Sequence, residues 1–200
     1  MTYNHIFKDG LATTKRLLGL KMHWQKKYSA LTNEPNISYE NLSCWLKNRK
    51  SLTNHLKNLA DLRIEQITSN NKNFSLSEKY YFKPFRAESL YLREVLIYAN
   101  NFPVMYARTV LPYKYLRGHW KDIKKLKTSP LSSVVYERAS IKRSSFTYAT
   151  SATCKGVKKV MPYGSLEKDF VIARQSSFTY KQKSILLSEF FFKALNKFDY

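Results

Sequence analysis

The stretch that decides the fold is residues 88–112, which read ESLYLREVLIYANNFPVMYARTVLP. Aliphatic and aromatic side chains dominate it, and a pair of asparagines, Asn100-Asn101, interrupts it near the middle. Asparagine tolerates the positive φ angles that a two-residue hairpin turn requires. The stretch therefore predicts a β-hairpin with strands over residues 88–99 and 103–111.

A second hairpin is predicted near the end of the sequence. In residues 170–180 and 184–194, apolar and polar side chains alternate enough to predict two paired strands. Lys181-Gln182-Lys183 forms the turn between them. Hairpins of this kind pair antiparallel, because a short turn reverses the direction of the chain. We therefore expect an antiparallel sheet built mainly from these two hairpins.

Helices are predicted mostly in the first third of the chain. The predicted helices cover residues 11–30, a segment that starts near Ser38 or Asn41 and carries Trp45, a segment from Ser51 as N-cap through Leu59, and residues 116–126. The other segments are a strand at 64–68, a polar loop at 69–78, an unassigned stretch at 131–138 and an irregular excursion at 140–168. Helices first and paired strands later favour an α+β fold. We predict one domain over residues 1–200, with a helical N-terminal region at 1–40.

The charge of the chain is unusual. Lys and Arg number 35 against 14 Asp and Glu, a formal net charge of +21. Such a charge suits nucleic acid, an anionic membrane surface or a small anionic substrate. Lysines are spread over the whole chain, however, and coding bias in a low-GC genome produces the same pattern. The charge by itself selects none of these partners.

Motifs for metals and cofactors are missing from the sequence. There is no P-loop, no dinucleotide-binding fingerprint and no HExxH, and the four histidines show no ligand spacing. Cys44 and Cys154 form no CxxC pair, which suits a reducing compartment. No apolar run approaches the roughly 18 to 20 residues of a membrane span, and no signal-peptide segment is recognisable. We expect a cytoplasmic protein without cofactor or metal.

Two charged side chains lie among apolar ones on predicted strands. Strand alternation puts Arg93 on one face with Tyr91, Val95 and Ile97, and Glu94 on the other. It puts Glu189 on one face with Ile185, Leu187 and Phe191. Charges rarely point into apolar layers unless they are paired or functional. From spacing alone, a structural Arg93–Glu189 ion pair, or faces that meet solvent, is the simpler interpretation.

Several short motifs resemble those of the bacterial chorismate lyases, in the order found in that family. The matching segments are residues 45–46 (Trp-Leu), 51–53 (Ser-Leu-Thr), 92–96 (Leu-Arg-Glu-Val-Leu), 107–112 (Ala-Arg-Thr-Val-Leu-Pro), 130–131 (Pro-Leu), 140–143 (Ser-Ile-Lys-Arg), 173–176 (Ala-Arg-Gln-Ser) and 186–191 (Leu-Leu-Ser-Glu-Phe-Phe). The sequence departs from the family at Lys50, where the family has Gly, and at Ser129 and Ser132, which flank the Pro-Leu pair. The resemblance extends over residues 45–192.

The resemblance implies a fold and a reaction. The fold is a six-stranded antiparallel sheet covered by helices, with the ligand enclosed under two helical flaps. The reaction is the elimination of pyruvate from chorismate to give 4-hydroxybenzoate, the first committed step toward ubiquinone, and it needs no cofactor. The resemblance also leads us to expect a monomer, and transient contact with a membrane surface stays open.

The resemblance also implies roles for individual residues. Arg93 and the backbone N–H groups of Leu52 and Leu131 would hold the ring carboxylate, and Glu189 would meet the hydroxyl end. Arginine suits this task because it is a permanent cation with bidentate geometry. In an apolar pocket we expect the pKa of Glu189 to be raised, which would suit a proton carrier. Arg174 is expected either to support the site from behind or to serve the sheet alone.

Two other functions compete with a lyase. A small-molecule-sensing domain with the same sheet would need no Arg93 and Glu189 pair, and such regulators carry a winged helix for which the first 40 residues are too short. A basic nucleic-acid-binding protein would explain the +21 charge. The aromatic residues nevertheless lie mostly in apolar strand-like runs such as residues 190–192, where core packing explains them better. We therefore expect no nucleic-acid partner.

Overall fold

The structure, a computed structural model, describes residues 24–27, 39–67, 73–136, 139–150 and 169–200. Its α-helices within these ranges are α1 (Tyr39–Lys47), α2 (Leu52–Leu59), α3 (Leu76–Tyr81) and α4 (Ser132–Val135). Its strands are β1 (Leu62–Ile67), β2 (Leu90–Ala99), β3 (Phe102–Pro112), β4 (Lys142–Arg143), β5 (Thr147–Thr150), β6 (Phe170–Tyr180) and β7 (Lys183–Phe192). The α+β class is confirmed.

All strands of the described chain join one antiparallel sheet with the order β1-β2-β3-β7-β6-β4, and β5 also pairs with β6. The expected number was six strands, and the structure has seven. The difference arises at the edge, where β4 pairs with residues 178–179 of β6 and β5 pairs with residues 172–175. One edge position of the sheet is thus divided between two short strands.

Both predicted hairpins are present. Asn100 and Asn101 connect β2 to β3 with φ angles of 46° and 66°. Lys181 and Gln182 connect β6 to β7 with φ angles of 45° and 61°. The second turn has two residues rather than the three that were expected, because Lys183 already pairs with Tyr180.

Helices α1 and α2 follow the predictions, and the other helical segments depart from them. Ser51 caps α2, and its side chain accepts a hydrogen bond from the Asn54 amide. Part of the predicted polar loop at 69–78 belongs to α3, which starts with a capping box between Ser75 and Glu78. The predicted helix at 116–126 is instead two 3-10 helices, Tyr113–Arg117 and Lys121–Lys125.

Some predictions fall partly outside the described residues. Within the predicted helix at 11–30, Gln25 is extended and forms an antiparallel bridge with Tyr148, so the helix prediction is wrong there. The excursion at 140–168 contains β4 and β5, while residues 151–168, Cys154 included, lie outside the described ranges. No helix among the described residues is long and apolar enough to cross a bilayer.

The sheet separates two apolar layers. One layer packs α1, α2 and the 3-10 segments against the odd-numbered side chains of β2, β3 and β7, including Val95, Leu111 and Phe191. The other layer contains even-numbered side chains such as Leu96 and Phe190. Alternation along each strand assigns every side chain to one layer or the other, which places Arg93 and Glu189 in the layer beneath α2.

Candidate active site

A pocket lies between the α2 face of the sheet and two segments that cover it. Residues 93, 95, 97, 105, 107, 109, 187 and 189 of the sheet form its floor. Residues 50–53, at the start of α2, and residues 130–136, around α4, form its walls. These two covering segments correspond to the helical flaps that the family resemblance implied.

Strand register determines where the two predicted charges stand. Arg93 of β2 pairs with Thr109 of β3, which pairs with Leu187 of β7. Two residues before Thr109 on β3, and on the same face of the sheet, Ala107 pairs with Glu189 of β7. Arg93 and Glu189 are therefore two strands and two residues apart, roughly 12 Å between Cα atoms at normal sheet spacings. The small Ala107 and Thr109 lie between them and leave room for a ligand.

The guanidinium of Arg93 is buried without an acidic partner. Its Nη2 atom donates to the carbonyl oxygens of Lys127 at 2.9 Å and Ser129 at 2.7 Å. Within the described chain its Nε is enclosed without a hydrogen-bond partner, and no carboxylate lies within ion-pair distance. Burial lowers the pKa of Arg93 to about 10, which leaves the side chain charged at neutral pH. The Arg93–Glu189 ion pair is not formed.

The carboxylate of Glu189 lies between two other arginines. Arg174 donates to it from Nε at 2.6 Å and from Nη2 at 3.1 Å, and Arg143 donates from Nη2 at 3.2 Å. Burial favours protonation, but the positive charges of Arg174 and Arg143 outweigh it and lower the pKa of Glu189. The expectation of a raised pKa is therefore wrong. It treated the pocket as apolar, whereas strand pairing brings two cations to this carboxylate.

Arg174 lies directly behind Glu189 and is fully enclosed. The two residues are paired across β6 and β7, so their side chains share a face. The remaining nitrogen of Arg174, Nη1, donates to three carbonyl oxygens at the end of α1, those of Trp45, Leu46 and Asn48. Arg174 thus contacts both Glu189 and the end of α1, and its support of the site stays a prediction.

Leu52 and Leu131, the predicted backbone donors, both line the pocket. Leu52 is the first residue of α2, where amide groups have no partner inside the helix. Leu131 directly precedes α4. Neither amide donates a hydrogen bond within the described part of the chain. Both groups are thus available to a ligand.

Sequence reasoning missed Arg143 and Tyr136 as pocket residues. Arg143 reaches the pocket from the edge strand β4, and its Nη1 donates to the Tyr136 hydroxyl at 2.8 Å. That hydroxyl donates to the Arg49 carbonyl at 2.7 Å, which links the two covering segments. The family-like segment 140–143 was the available signal, but it lay in a region that was predicted to be irregular.

The three departures from the family pattern are accommodated in the structure. Lys50, where the family has Gly, does not have a positive φ angle, so a side chain fits without backbone strain. Ser129 contributes its carbonyl oxygen to Arg93. Ser132 and Thr53 are 3.2 Å apart at their hydroxyl oxygens, which joins α2 to α4.

A second buried ionic cluster occupies the opposite layer of the sheet. Arg108 contacts the carboxylates of Glu78 and Glu94, and the Tyr106 hydroxyl donates to Glu94. Strand alternation had placed Arg93 and Glu94 on opposite faces, and the structure confirms it. Among the described residues no group of three His, Cys, Asp or Glu side chains is placed to hold a metal ion.

Comparison with known proteins gives a consistent result. The family model described as chorismate lyase matches residues 22–198. A protein of Psychromonas ingrahamii named probable chorismate pyruvate-lyase is 29% identical over 165 residues, which are 80% of this chain and 87% of that protein. The chorismate pyruvate-lyase of Pectobacterium atrosepticum is 27% identical over 140 residues, 64% of this chain and 72% of that protein.

Proposed function

This chain belongs to the chorismate lyase family, and on that premise we propose that its pocket binds chorismate between Arg93 and Glu189 and eliminates pyruvate from it, leaving 4-hydroxybenzoate. The observation that carries the proposal is the state of Arg93. A buried guanidinium without a carboxylate partner is costly, and its cost falls when an anion binds. A cyclic carboxylic acid such as chorismate, with its ring carboxylate at Arg93, supplies this anion.

The binding mode follows from the donors around Arg93. Its Nη2 is already held by two carbonyl oxygens, so the ring carboxylate accepts from Nε or from Nη1, which lie on opposite edges of the guanidinium. The amides of Leu52 and Leu131 add directional donors without adding charge. The ring then lies over Ala107 and Thr109, and its hydroxyl end points to Glu189. Charge-assisted contacts of this kind contribute about 1.5–3 kcal/mol each.

The chemical role of Glu189 is limited by its protonation state. Its lowered pKa makes it a carboxylate at neutral pH, so it accepts a hydrogen bond from the substrate hydroxyl and has no proton to donate. Elimination breaks the bond between the ring carbon and the ether oxygen and removes the proton from the neighbouring hydroxyl-bearing carbon, which makes the ring aromatic. The side chain leaves as enolpyruvate, which gains a proton at its methylene carbon and becomes pyruvate, so the proton lost by the ring is balanced. A fixed carboxylate beside that carbon stabilises the positive character that develops as the ether bond breaks.

The test of the proposed function is direct. Purified protein is mixed with chorismate, and pyruvate is measured with a coupled lactate dehydrogenase assay while chromatography follows 4-hydroxybenzoate. We expect both products in equal amounts. Folded protein that forms no pyruvate above the spontaneous rate would refute the proposal.

The enclosure of the pocket adds a kinetic expectation. Two segments cover the site and are joined by the Thr53–Ser132 contact and by the Tyr136–Arg49 hydrogen bond. Product release then requires these contacts to open, which we propose limits turnover. A rapid-mixing experiment should show a burst of pyruvate equal to the enzyme concentration, followed by slower steady turnover. A linear time course from the first turnover would contradict slow release.

A further inference from the structure

We propose that Arg143 binds the second carboxylate of the substrate, the one on its enolpyruvyl side chain. The inference rests on the proposed function, because it takes the ring carboxylate at Arg93 and the hydroxyl at Glu189 as given. Chorismate carries its ether side chain on the ring carbon next to the hydroxyl-bearing carbon. The side-chain carboxylate must therefore lie on the Glu189 side of the pocket, away from Arg93.

On the Glu189 side of the pocket, Arg143 is a cation with an N–H group that has no acceptor among the described residues. Its Nε donates to Ser176 Oγ at 3.0 Å, and its Nη1 donates to the Tyr136 hydroxyl and to the Arg49 carbonyl. Nη2 carries two hydrogens, of which one points to Glu189 at 3.2 Å. The other has no acceptor within the described part of the chain. A ligand carboxylate beside Glu189 would satisfy it.

The guanidinium plane of Arg143 is held rigidly. Its central carbon lies 4.5 Å from the centre of the Phe146 ring and 4.7 Å from that of Phe178. A side chain with this support loses little further conformational entropy when it binds an anion. Burial lowers the pKa of Arg143, so an additional negative charge beside it is favoured.

The buried charges at the pocket match a dianion. Arg93, Arg143 and Arg174 contribute three positive charges against the single negative charge of Glu189. Chorismate brings two carboxylates, whereas 4-hydroxybenzoate keeps only one. Loss of the side chain therefore leaves one positive charge uncompensated, which favours Arg143 as the point where substrate and product are distinguished.

The other two cations near Glu189 are less suitable. Arg174 directs Nε and Nη2 to Glu189 and Nη1 to three carbonyl oxygens, and it is fully enclosed behind the carboxylate. Lys50 lines the pocket but is exposed, so its ammonium group is hydrated and flexible. Lys50 therefore provides the matched control, as a cation of the same pocket that the proposal does not use.

The test compares two inert ligands by calorimetry. One is 4-hydroxybenzoate, and the other is 3-(carboxymethoxy)-4-hydroxybenzoate, which adds an ether-linked carboxylate at the position of the enolpyruvyl group. We expect Arg143→Met to weaken binding of the dianion, 3-(carboxymethoxy)-4-hydroxybenzoate, by about 10- to 100-fold. Binding of the monoanion, 4-hydroxybenzoate, should weaken by less than about 3-fold. Arg143→Lys should recover part of the lost affinity, because lysine restores the positive charge without the bidentate geometry of a guanidinium. Lys50→Met should leave the ratio of the two dissociation constants within about 3-fold of wild type.

Other outcomes overturn the inference. Equal weakening of both ligands by Arg143→Met would mean that Arg143 only supports Glu189, and a selective loss in Lys50→Met would assign the second carboxylate to Lys50. If Arg143→Met does not fold, Arg143→Lys carries the test, and a ratio equal to wild type then counts against the inference. A wild-type protein that releases no pyruvate from chorismate refutes the proposed function, whereas normal turnover with an unchanged ratio in the variants refutes only the role of Arg143.

Discussion

Arg93 and Glu189 are both buried charges, but they differ in what surrounds them. Glu189 has two arginines around it, so its charge is compensated within the protein. Among the described residues Arg93 has only carbonyl oxygens as partners, which satisfy hydrogen bonds but do not neutralise the charge. A pocket with an uncompensated cation at one end is prepared for an anion, and the two residues therefore lead to different predictions.

The first prediction concerns ligand affinity at Arg93. Arg93→Met should raise the dissociation constant of 4-hydroxybenzoate by about 10- to 100-fold, because a charge-assisted contact to its carboxylate is lost. Calorimetric titration of folded variant and wild type measures the change. Arg63→Met, which removes an exposed arginine of β1, is the control and should bind like wild type. Equal affinities in all three proteins would remove Arg93 from the binding site.

The second prediction concerns the pH dependence of stability at Glu189. Its pKa is lower in the folded state than in the unfolded chain, so its ionic contacts stabilise the protein above the unfolded-state pKa of about 4.3. That contribution is lost as the pH falls through the folded-state value. Glu189→Gln should reduce the free energy of unfolding by about 3–5 kcal/mol at pH 7, since two buried arginines lose their anion.

Urea unfolding of wild type and Glu189→Gln at several pH values measures this difference. We expect the difference to stay constant from pH 7 to about pH 5 and to shrink only at lower pH. A difference that grows as the pH falls from 7 toward 5 would indicate a raised pKa, contrary to the two-arginine environment. The same variant should also lose most of its turnover, because a neutral amide cannot stabilise positive character in the substrate.

At the level of elements, the covering segments are held together by few contacts. Thr53 of α2 meets Ser132 of α4, and Tyr136 after α4 donates to the Arg49 carbonyl before α2. Most of the pocket floor belongs to long strands with continuous pairing. Opening of the site should therefore occur between α2 and α4, while the sheet stays intact.

The third prediction tests that closure. Tyr136→Phe removes a donor to Arg49 and an acceptor for Arg143, and it should increase the dissociation rate of 4-hydroxybenzoate by about 5-fold, as expected for the loss of about 1 kcal/mol. Stopped-flow displacement of bound product gives the rate. Tyr80→Phe, at an exposed position of α3, is the control. A Tyr136→Phe rate equal to that of the control would show that the hydroxyl does not hold the site closed.

The fourth prediction concerns α3 on the opposite layer. Glu78 caps its own helix and also pairs with the enclosed Arg108 of β3. Glu78→Gln should lower the free energy of unfolding by about 3–5 kcal/mol, because Arg108 keeps only part of its compensation. Urea unfolding measures the loss, and kcat of the folded fraction should stay close to wild type. A fall in kcat as large as that of Glu189→Gln would mean that the two layers are coupled.

For the molecule as a whole, the relevant feature is the net charge of +21. A field of this sign raises the local concentration of anions and increases their association rate, and salt screens it. The fifth prediction is that the association rate of 4-hydroxybenzoate falls several-fold between about 0.02 M and 0.5 M salt. The neutral analogue 4-hydroxybenzamide should show almost no change. Equal salt dependence for both ligands would show that the charge does not steer the substrate.

The sequence by itself determined both hairpins, the cap of α2 and the layer in which Arg93 and Glu189 lie. These features depend on local rules, namely positive φ at asparagine, side-chain capping and the two-residue alternation of strands. The ordered motifs also identified the family, which the match over residues 22–198 confirms. The two 3-10 helices lacked a strong local signal and were predicted poorly. Helix α3 was missed although Ser75 and Glu78 have the spacing of a capping box.

Only the tertiary structure decided which charges meet. Glu189 was expected to be a proton carrier with a raised pKa, yet Arg174 on β6 and Arg143 on β4 make it a stable anion. Arg143 and Glu189 are 46 residues apart in sequence and 3.2 Å apart in space. Alternation along a strand gives the face on which a charge lies, but the pairing of strands gives its neighbours. A pKa depends on those neighbours, because the energy between two charges depends on their separation in space and on the local dielectric.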